Sequence, residues 1–294
     1  MQRQRRKGRN RGFRLFSLSR ILTMAILLCL LGYPVYEAYH LKTEQTTLSV
    51  SGLPQDLNNL RIAFISDIHM SAMYPQGMVN KLIDTINRLN ADIVLFGGDY
   101  AEDSEGAIEF FQKVPRINAR LKVAGVLGNH DRTIPESNLD RLQNAMVAAN
   151  VIPLVNNILT VMVGNAEITL AGIDDINNGH PDIEGVAKMV NRDDFVVFLS
   201  HSPAAIPDAL KAQDMSGRDR WFDLALCGHT HGGQVTFLGQ PLIPEFQKVP
   251  RRYLSGWIEE NRIPILISNG VGMAYLPVRL FAPAQIHLIT LKAN

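Results

Sequence analysis

"LALCGHTHGGQ", residues 224–234, sets an apolar run against two histidines, His229 and His231, that stand two positions apart between glycines. A solvated loop has no need of such a pair, and a hydrophobic core has little use for it. The run followed by glycine reads as a buried strand closed by a tight turn. The same grammar recurs upstream in "RIAFISDIHM" (61–70), "DIVLFGGDY" (92–100), "LKVAGVLGNHD" (121–131) and "DFVVFLSHSP" (194–203). Ligands of open α/β sheets bind just outside the carboxyl ends of strands, where loops converge. The residues at these five ends are Asp67 and His69; Asp99; Asn129, His130 and Asp131; His201; and His229 and His231. A lone Asp after a strand ordinarily caps a turn, and a lone His is ordinarily a satisfied polar group. Five ends carrying hard oxygens and imidazoles point instead to one shared divalent-metal site. No cysteine stands among them, which argues against a structural zinc knuckle.

A chain of 294 residues, 46% hydrophobic, allows one large α/β domain or two small ones with a sizeable core. Its net charge of +1 hides an uneven distribution. Residues 1–20 hold eight of the 29 basic residues and no acid, which leaves 21 bases against 28 acids, about −7, on the remainder. That sign disfavours a nucleic-acid partner. Two cysteines, Cys29 and Cys227, indicate no disulfide framework.

After the basic arm, Ile21 to Tyr36 is a run of 16 uncharged residues, slightly short of the roughly 20 that span a bilayer core. Arg20 can snorkel at one end, and Tyr33, Tyr36 and Tyr39 can occupy the opposite interface. "VYEAYH" offers no A-x-A cleavage pattern, and the flanking charges disfavour a buried core helix. The expected organisation is a basic cytoplasmic arm (1–20), a single transmembrane anchor (21–39), a polar linker (40–59) with at most one short strand near Thr47–Val50, and a catalytic domain (60–294). The positive-inside rule then places that domain on the outer face of the membrane.

Between the apolar runs, residues 77–89, 104–112, 136–149 and 203–211 have helical spacing, and "ILTVMVGNAEITLAGID" suggests a hairpin near Gly164–Asn165. Two more strands lie in "IPILIS" and "AQIHLITL". Alternating β and α units predict one α/β domain of layered sheets covered by helices.

The ordered set D-x-H, G-G-D, G-N-H-D, S-H and G-H-T-H, spanning 67–231, resembles the calcineurin-like metallophosphoesterases. The likeness continues through "GGQ", "YLSG" and "SNGVG", and is nearest to membrane-anchored bacterial phosphoesterases, including the UDP-2,3-diacylglucosamine pyrophosphatase type. Ala284–Gln285 in "PAQIHLITL" departs from the Pro-Glu-Ile expected there. The resemblance implies an αββα sandwich of two mixed sheets, preceded by the anchor, in a bacterial inner membrane. It implies two divalent ions (Mn, Fe or Zn): Asp67, His69 and His231 at one, Asn129, His201 and His229 at the other, with Asp99 bridging both. His130 would be the catalytic histidine and Asp131 would fix its orientation. Two such ions, about 3.5–4 Å apart, share a hydroxide and grip the phosphoryl oxygens of an in-line displacement. The expected substrate is a phosphodiester or pyrophosphate, carried by a phosphorylated small molecule or a lipid.

Competing readings are a protein or small-molecule phosphomonoesterase and a non-catalytic metal-dependent scaffold; retention of His130 with Asp131 speaks against the scaffold. A UDP-lipid precursor belongs to the cytoplasmic face, in conflict with the charge bias, and the charge bias is preferred. "GIDDINNG" reads as a polar turn at the sheet edge rather than a calcium loop. "SNGVGM" lacks the context of a dinucleotide fold and reads as part of the site rim. "FLGQPLIPEFQKVPRR" (237–252) is a buried crossover or, alternatively, a loop whose Phe237, Leu238, Leu242, Ile243 and Phe246 take acyl chains, with Arg251 and Arg252 near phosphate.

Overall fold

A computed structural model describes residues 9–133, 138–191, 193–244, 246 and 249–294. The first residues of the basic arm and the start of the helix expected at 136–149 lie outside the described residues. The helix α1 (Arg9–Tyr39) opens the chain. Within it, Leu18–Tyr39 is a stretch of 22 residues with mean hydropathy 1.8, long and apolar enough to cross a membrane. At 1.5 Å per residue that is about 33 Å, matching a hydrocarbon core of about 30 Å.

The body follows as β1 (Lys42–Val50), β2 (Arg61–Ile65), α2 (Gln76–Arg88), β3 (Ile93–Phe96), α3 (Ser104–Lys113), β4 (Lys122–Gly125), α4 (Leu139–Ala148), β5 (Ile152–Pro153), β6 (Asn157–Val163) and β7 (Ala166–Gly172). It continues through α5 (Ile183–Met189), β8 (Phe195–Ser200), α6 (Ile206–Ala209), β9 (Leu224–Cys227), β10 (Thr236–Phe237), β11 (Gln240–Pro241), β12 (Gly256–Glu260), β13 (Ile263–Ile267) and β14 (Gln285–Ala293). Two six-stranded sheets result, ordered β1-β14-β2-β3-β4-β5 and β12-β13-β9-β8-β7-β6. Both are mixed: β2, β3 and β4 run parallel while β14 opposes β2, and β7, β8, β9 and β13 run parallel while β6 and β12 oppose their neighbours.

The side-chain period of two explains the layering. Ile62 and Phe64 of β2, with Ile93 and Leu95 of β3, meet Val197 and Leu199 of β8 and Leu224 and Leu226 of β9 between the sheets. The alternate residues Ala63, Ile65, Val94 and Phe96 point outward beneath α2, α3 and α4. On the far side Val196, Phe198, Ala225 and Cys227 pack against α5 and α6. Strands buried on both faces read as continuous apolar runs, which is why they are visible in the sequence. The architecture is the four-layered αββα sandwich.

Several elements differ from expectation. Residues 42–50, expected as linker, form a nine-residue edge strand parallel to β14. Its alternating exposed and half-buried residues need few apolar side chains, because the backbone ladder holds it. The helix expected over 203–211 shortens to a turn at Pro203–Ala205 and the single turn of α6, since Pro203 and Pro207 restrict its hydrogen bonding. The strand β12 pairs with β13 across Asn261–Arg262, both at positive φ as a tight hairpin requires; its Glu259 and Glu260 conceal it. The hairpin β6–β7 forms as expected around Gly164.

Leu226 sits fully buried between the sheets. Leu226→Ala should cost about 2–5 kcal/mol, read as a lowered denaturant midpoint of the full chain in detergent; an unchanged midpoint would contradict this packing.

Candidate metal centre

The strands β2, β3 and β4 of one sheet and β8 and β9 of the other end at the same edge of the sandwich, and the singled-out residues follow those ends. The two edges are stitched directly. The His229 backbone N–H donates to Asp67 Oδ1 at 2.9 Å, and His201 Nδ1 lies 2.7 Å from the Gly97 carbonyl. A carbonyl only accepts, so His201 Nδ1 carries a hydrogen and Nε2 faces the site. There Nε2 stands 3.1 Å from Asp99 Oδ2 and 3.2 Å from His229 Nδ1. On the other flank His231 Nε2 is 3.1 Å from His69 Nε2 and 3.7 Å from Asp67 Oδ1. Asp99 Oδ2 also lies 3.5 Å from His69 Nε2, so its carboxylate sits between the two flanks.

Local backbone makes this convergence possible. Asp67, His69, Asp99, His229 and His231 all adopt positive φ, between 47° and 71°. Each such conformation costs an L residue roughly 1–3 kcal/mol, a strain concentrated where the side chains must turn inward together. Gly228 and Gly128 allow close approach: a Cβ at either would collide with the carboxylate of Asp67 or of Asp99.

Electrostatics divide the imidazoles. Burial, then the neighbouring His69 and Arg279, push His231 well below its ordinary value, and burial with His201 lowers His229. Both rings therefore keep lone pairs at neutral pH. Burial works against a charged His201, but the charge and hydrogen bond of Asp99 outweigh it and hold its pKa well above the ordinary value. Asp99 shows the reciprocal effect: burial opposes ionisation, yet His201 and then His69 hold it far below the usual carboxylate range.

The donor set fits divalent cations. Two triads, Asp67–His69–His231 and Asp99–His201–His229, each bring their ligand atoms within 4.8 Å of one another. Asn129 Oδ1 is buried without a hydrogen-bond partner, and its backbone carbonyl accepts from Asn178 Nδ2 at 2.8 Å. Carboxylate and amide oxygens with imidazole nitrogens suit Mn, Fe or Zn.

His130 stands at the edge of this group, its ring edge-on to His69. Asp131 differs from expectation. The ring of His130 is oriented through Nδ1 by the Glu102 carbonyl at 2.8 Å. The Asp131 carboxylate, fully buried, accepts from the backbone N–H groups of Asp99, Tyr100 and Gly128. It ties the ends of β3 and β4 together, because three backbone donors offer a buried carboxylate more than one ring can.

Other contributors escaped the sequence reading. Glu102 Oε1 lies 3.5 Å from His69 Nδ1; its closeness to "GGD" was the available signal. Arg279, fully buried, donates to the carbonyls of Asn269, Gly272, His231 and Ala282. Burial draws its pKa down to about 10, so it stays charged. Nothing in "LPVRLF" marks it. Asp174 and Asp175 form the expected polar turn where β7 ends, close to the site: their carboxylates accept from Asp175, His180, Asn177 and Asn178 N–H groups. In "SNGVG", Val271 and Gly272 N–H donate to the Ser66 and Asp67 carbonyls, backing the site from behind.

A family model described as calcineurin-like phosphoesterase matches residues 60–233. The metallophosphoesterase YkuE of Bacillus subtilis (strain 168) is 29% identical over 270 residues, covering 90% of each chain. The phosphodiesterase YaeI of Escherichia coli (strain K12) is 27% identical, over 73% of this chain and 76% of its own. A Bos taurus transmembrane protein with metallophosphoesterase domain is 28% identical over 83% of this chain, which spans 55% of that relative's length.

A proton on His201 Nε2 and a cation compete for one lone pair. Cation affinity should therefore fall as pH drops from about 8 to about 6, with protons released on binding. Calorimetry in buffers of different ionisation enthalpy reads this; affinity flat with pH and no proton release would contradict it.

Proposed function

We propose a function that starts from one premise: the chain belongs to the calcineurin-like phosphoesterase family, and is thereby a metal-dependent hydrolase of phosphoric esters. Its substrate, in this reading, is a phosphodiester or pyrophosphate that bears an apolar group, with a lipid-linked phosphate as the favoured class. The observation that carries it is a cleft of about 580 Å³ with a mixed lining. It is lined by His69, Asp99, Asn129, His130, His229 and His231 together with the apolar Pro203, Pro207, Phe246, Val249, Tyr253 and Ala274. A polar constellation joined to apolar surface in one cleft suits a ligand with a charged reacting centre and a greasy remainder. The phosphodiesterase name of the relative YaeI supports the diester class.

Asp67, His69 and His231 would hold one ion and Asn129, His201 and His229 the other, with Asp99 between them. Bound divalent ions supply Lewis-acid polarisation of phosphoryl oxygens and an activated water at neutral pH. The chain's own residues do the rest. His130, its Nδ1 hydrogen held by the Glu102 carbonyl, presents Nε2 to the cleft, where it passes a proton to the departing oxygen. Asp131 acts as a positioning residue, holding the Asp99 and His130 loops in register. Phe246 is almost fully buried beside the His231 ring, 5.6 Å between centroids, and excludes water from that flank. The arginine-rich arm supports placing the domain outside the cell, which favours a lipid phosphate of the outer leaflet over UDP-diacylglucosamine.

The full chain in detergent, supplied with Mn, Fe or Zn, should turn over a phosphodiester faster than a phosphomonoester or phosphopeptide; the reverse order would favour a phosphatase. His130→Ala should lower kcat on the diester by about 10²–10⁴-fold with bound ion content unchanged. Full activity would remove its assigned role. Phe246→Ser should raise KM for a lipid diester more than for a small aryl diester; equal losses would mean that the apolar wall does not read the substrate.

A further inference from the structure

The loops beside the cleft carry large apolar side chains that stand exposed among the described residues. The β10–β11 hairpin turns at Leu238–Gly239, both at positive φ, and leaves Phe237 and Leu238 exposed, Leu238 by 80%. The buried-crossover expectation for 237–252 thus fails for its first part: Leu242 is exposed as well, while Pro241 and Phe246 are buried and Ile243 is half-buried. Facing the hairpin, Tyr275, Leu276 and Phe281 are exposed too, Phe281 by 66%. The two segments form one unit. Val235 bridges Leu280, and the Thr236 N–H donates to the Leu280 carbonyl at 2.9 Å. The buried Gln234 side-chain amide donates to the carbonyls of Ala274, Leu276 and Val278.

This unit is fastened to α1. The Arg279 N–H donates to the Pro34 carbonyl at 2.9 Å, and the Phe281 N–H donates to Glu37 Oε2 at 3.1 Å. Glu37 and Ala38 are buried at that junction, whereas Leu28, Leu31, Tyr33, Val35 and Tyr36 before them are exposed. Topology places the junction at the catalytic end. Lys42, at the start of β1, pairs with Gln285, and β14 runs antiparallel to β2, so α1 leaves the sandwich beside the strand end that carries Asp67. At the same edge the exposed Arg251 lies against Gly239, whereas Arg252 turns away to Glu260, its Nε 3.5 Å from Oε1.

We infer that Phe237, Leu238, Leu242, Tyr275, Leu276 and Phe281 form a membrane-inserting surface, seated in the headgroup and acyl boundary of the bilayer that α1 enters, so that the cleft opens onto lipid. The inference rests on reading α1 as a membrane span and deepens the proposal of a lipid-linked substrate. What favours a bilayer over a protein partner is continuity: the patch is hydrogen-bonded to the end of the candidate span and begins where the span's exposed apolar surface ends. Apolar side chains of this kind, with a basic residue beside them, enter an interface to a depth of about 5–10 Å, and Arg251, next to the hairpin, meets phosphate headgroups. Arg279 ties the surface to the site, since one guanidinium reaches both the His231 carbonyl and the Gly272 carbonyl. Docking then fixes the orientation of the cleft as well as its distance from the membrane.

The test uses the full chain in vesicles of phosphatidylcholine and phosphatidylglycerol containing brominated lipid, which quenches tryptophan in the bilayer. Three single variants are read as differences from the wild type, whose Trp221 and Trp257 give a constant background. Leu31→Trp probes the span and Leu238→Trp the patch. Met162→Trp probes the opposite end of the sandwich, because Met162 pairs with Glu167 at the start of β7. Quenching and a blue shift at Leu31→Trp and Leu238→Trp, with neither at Met162→Trp, are expected. Phe281→Trp repeats the patch reading at a second exposed position. Water-like, unquenched emission at Leu238→Trp and Phe281→Trp beside a quenched Leu31→Trp overturns the inserted surface and leaves the span intact. An unquenched Leu31→Trp overturns both. Quenching at the patch and at Met162→Trp alike means non-specific adsorption and overturns the inference. Turnover of a soluble aryl phosphodiester in the same vesicles reads the chemistry separately, so its loss counts against the proposed hydrolysis and not against insertion.

Discussion

Everything in this molecule turns on holding two desolvated carboxylates and four imidazoles within hydrogen-bond reach of one another at the edge where two sheets meet. Buried like charges and facing lone pairs are costly unless compensated. The fold supplies part of the compensation through backbone donors to Asp67 and Asp131, and in the proposed reading bound divalent cations neutralise the charge it leaves over. Two sheets are needed because neither presents a full set. One brings Asp67, His69, Asp99 and Asn129, and the other brings His201, His229 and His231. The contacts of His201 with Gly97 and of His229 with Asp67 lock the halves in register.

Much of this was legible in the sequence because the same physics shapes both. Strands buried on two faces must be apolar along their length, and residues that build a site must follow their ends. Those two requirements give the repeated pattern of an apolar run followed by Asp, Asn or His. They also locate α2, α3 and the β6–β7 hairpin, whose periodicities stand clear of their surroundings. Elements held by backbone rather than by burial were silent. The edge strand β1 is mostly polar, and β12 carries Glu259 and Glu260, the first exposed and the second half-buried. Arg279 shows the opposite failure. A single arginine in a turn-rich segment reads as surface, and only the five carbonyls and ring atoms around it reveal a structural charge. Asp131 was found by position but misread in role, since the sequence shows that it adjoins His130 and hides the backbone donors that claim its carboxylate.

The same economy links the candidate site to the apolar helix α1. Gln234 follows directly from the histidine turn, and its amide organises the 274–278 loop, while Arg279 joins that loop both to His231 and to the end of α1. The end of α1, the exposed apolar loops and the candidate site thus form one hydrogen-bonded chain of contacts. Strain at the left-handed Asp67, His69, Asp99, His229 and His231 and the buried charge of Arg279 are costs concentrated around that candidate site.

Elemental analysis of the full chain, saturated with Mn or Zn and freed of loose ions by gel filtration, tests the paired site most directly. Two ions per chain are expected, falling to about one when Asp67 and His231 are both replaced by Ala. One ion or fewer in the saturated wild type would contradict the two-triad centre and with it the hydrolytic chemistry assigned to this fold.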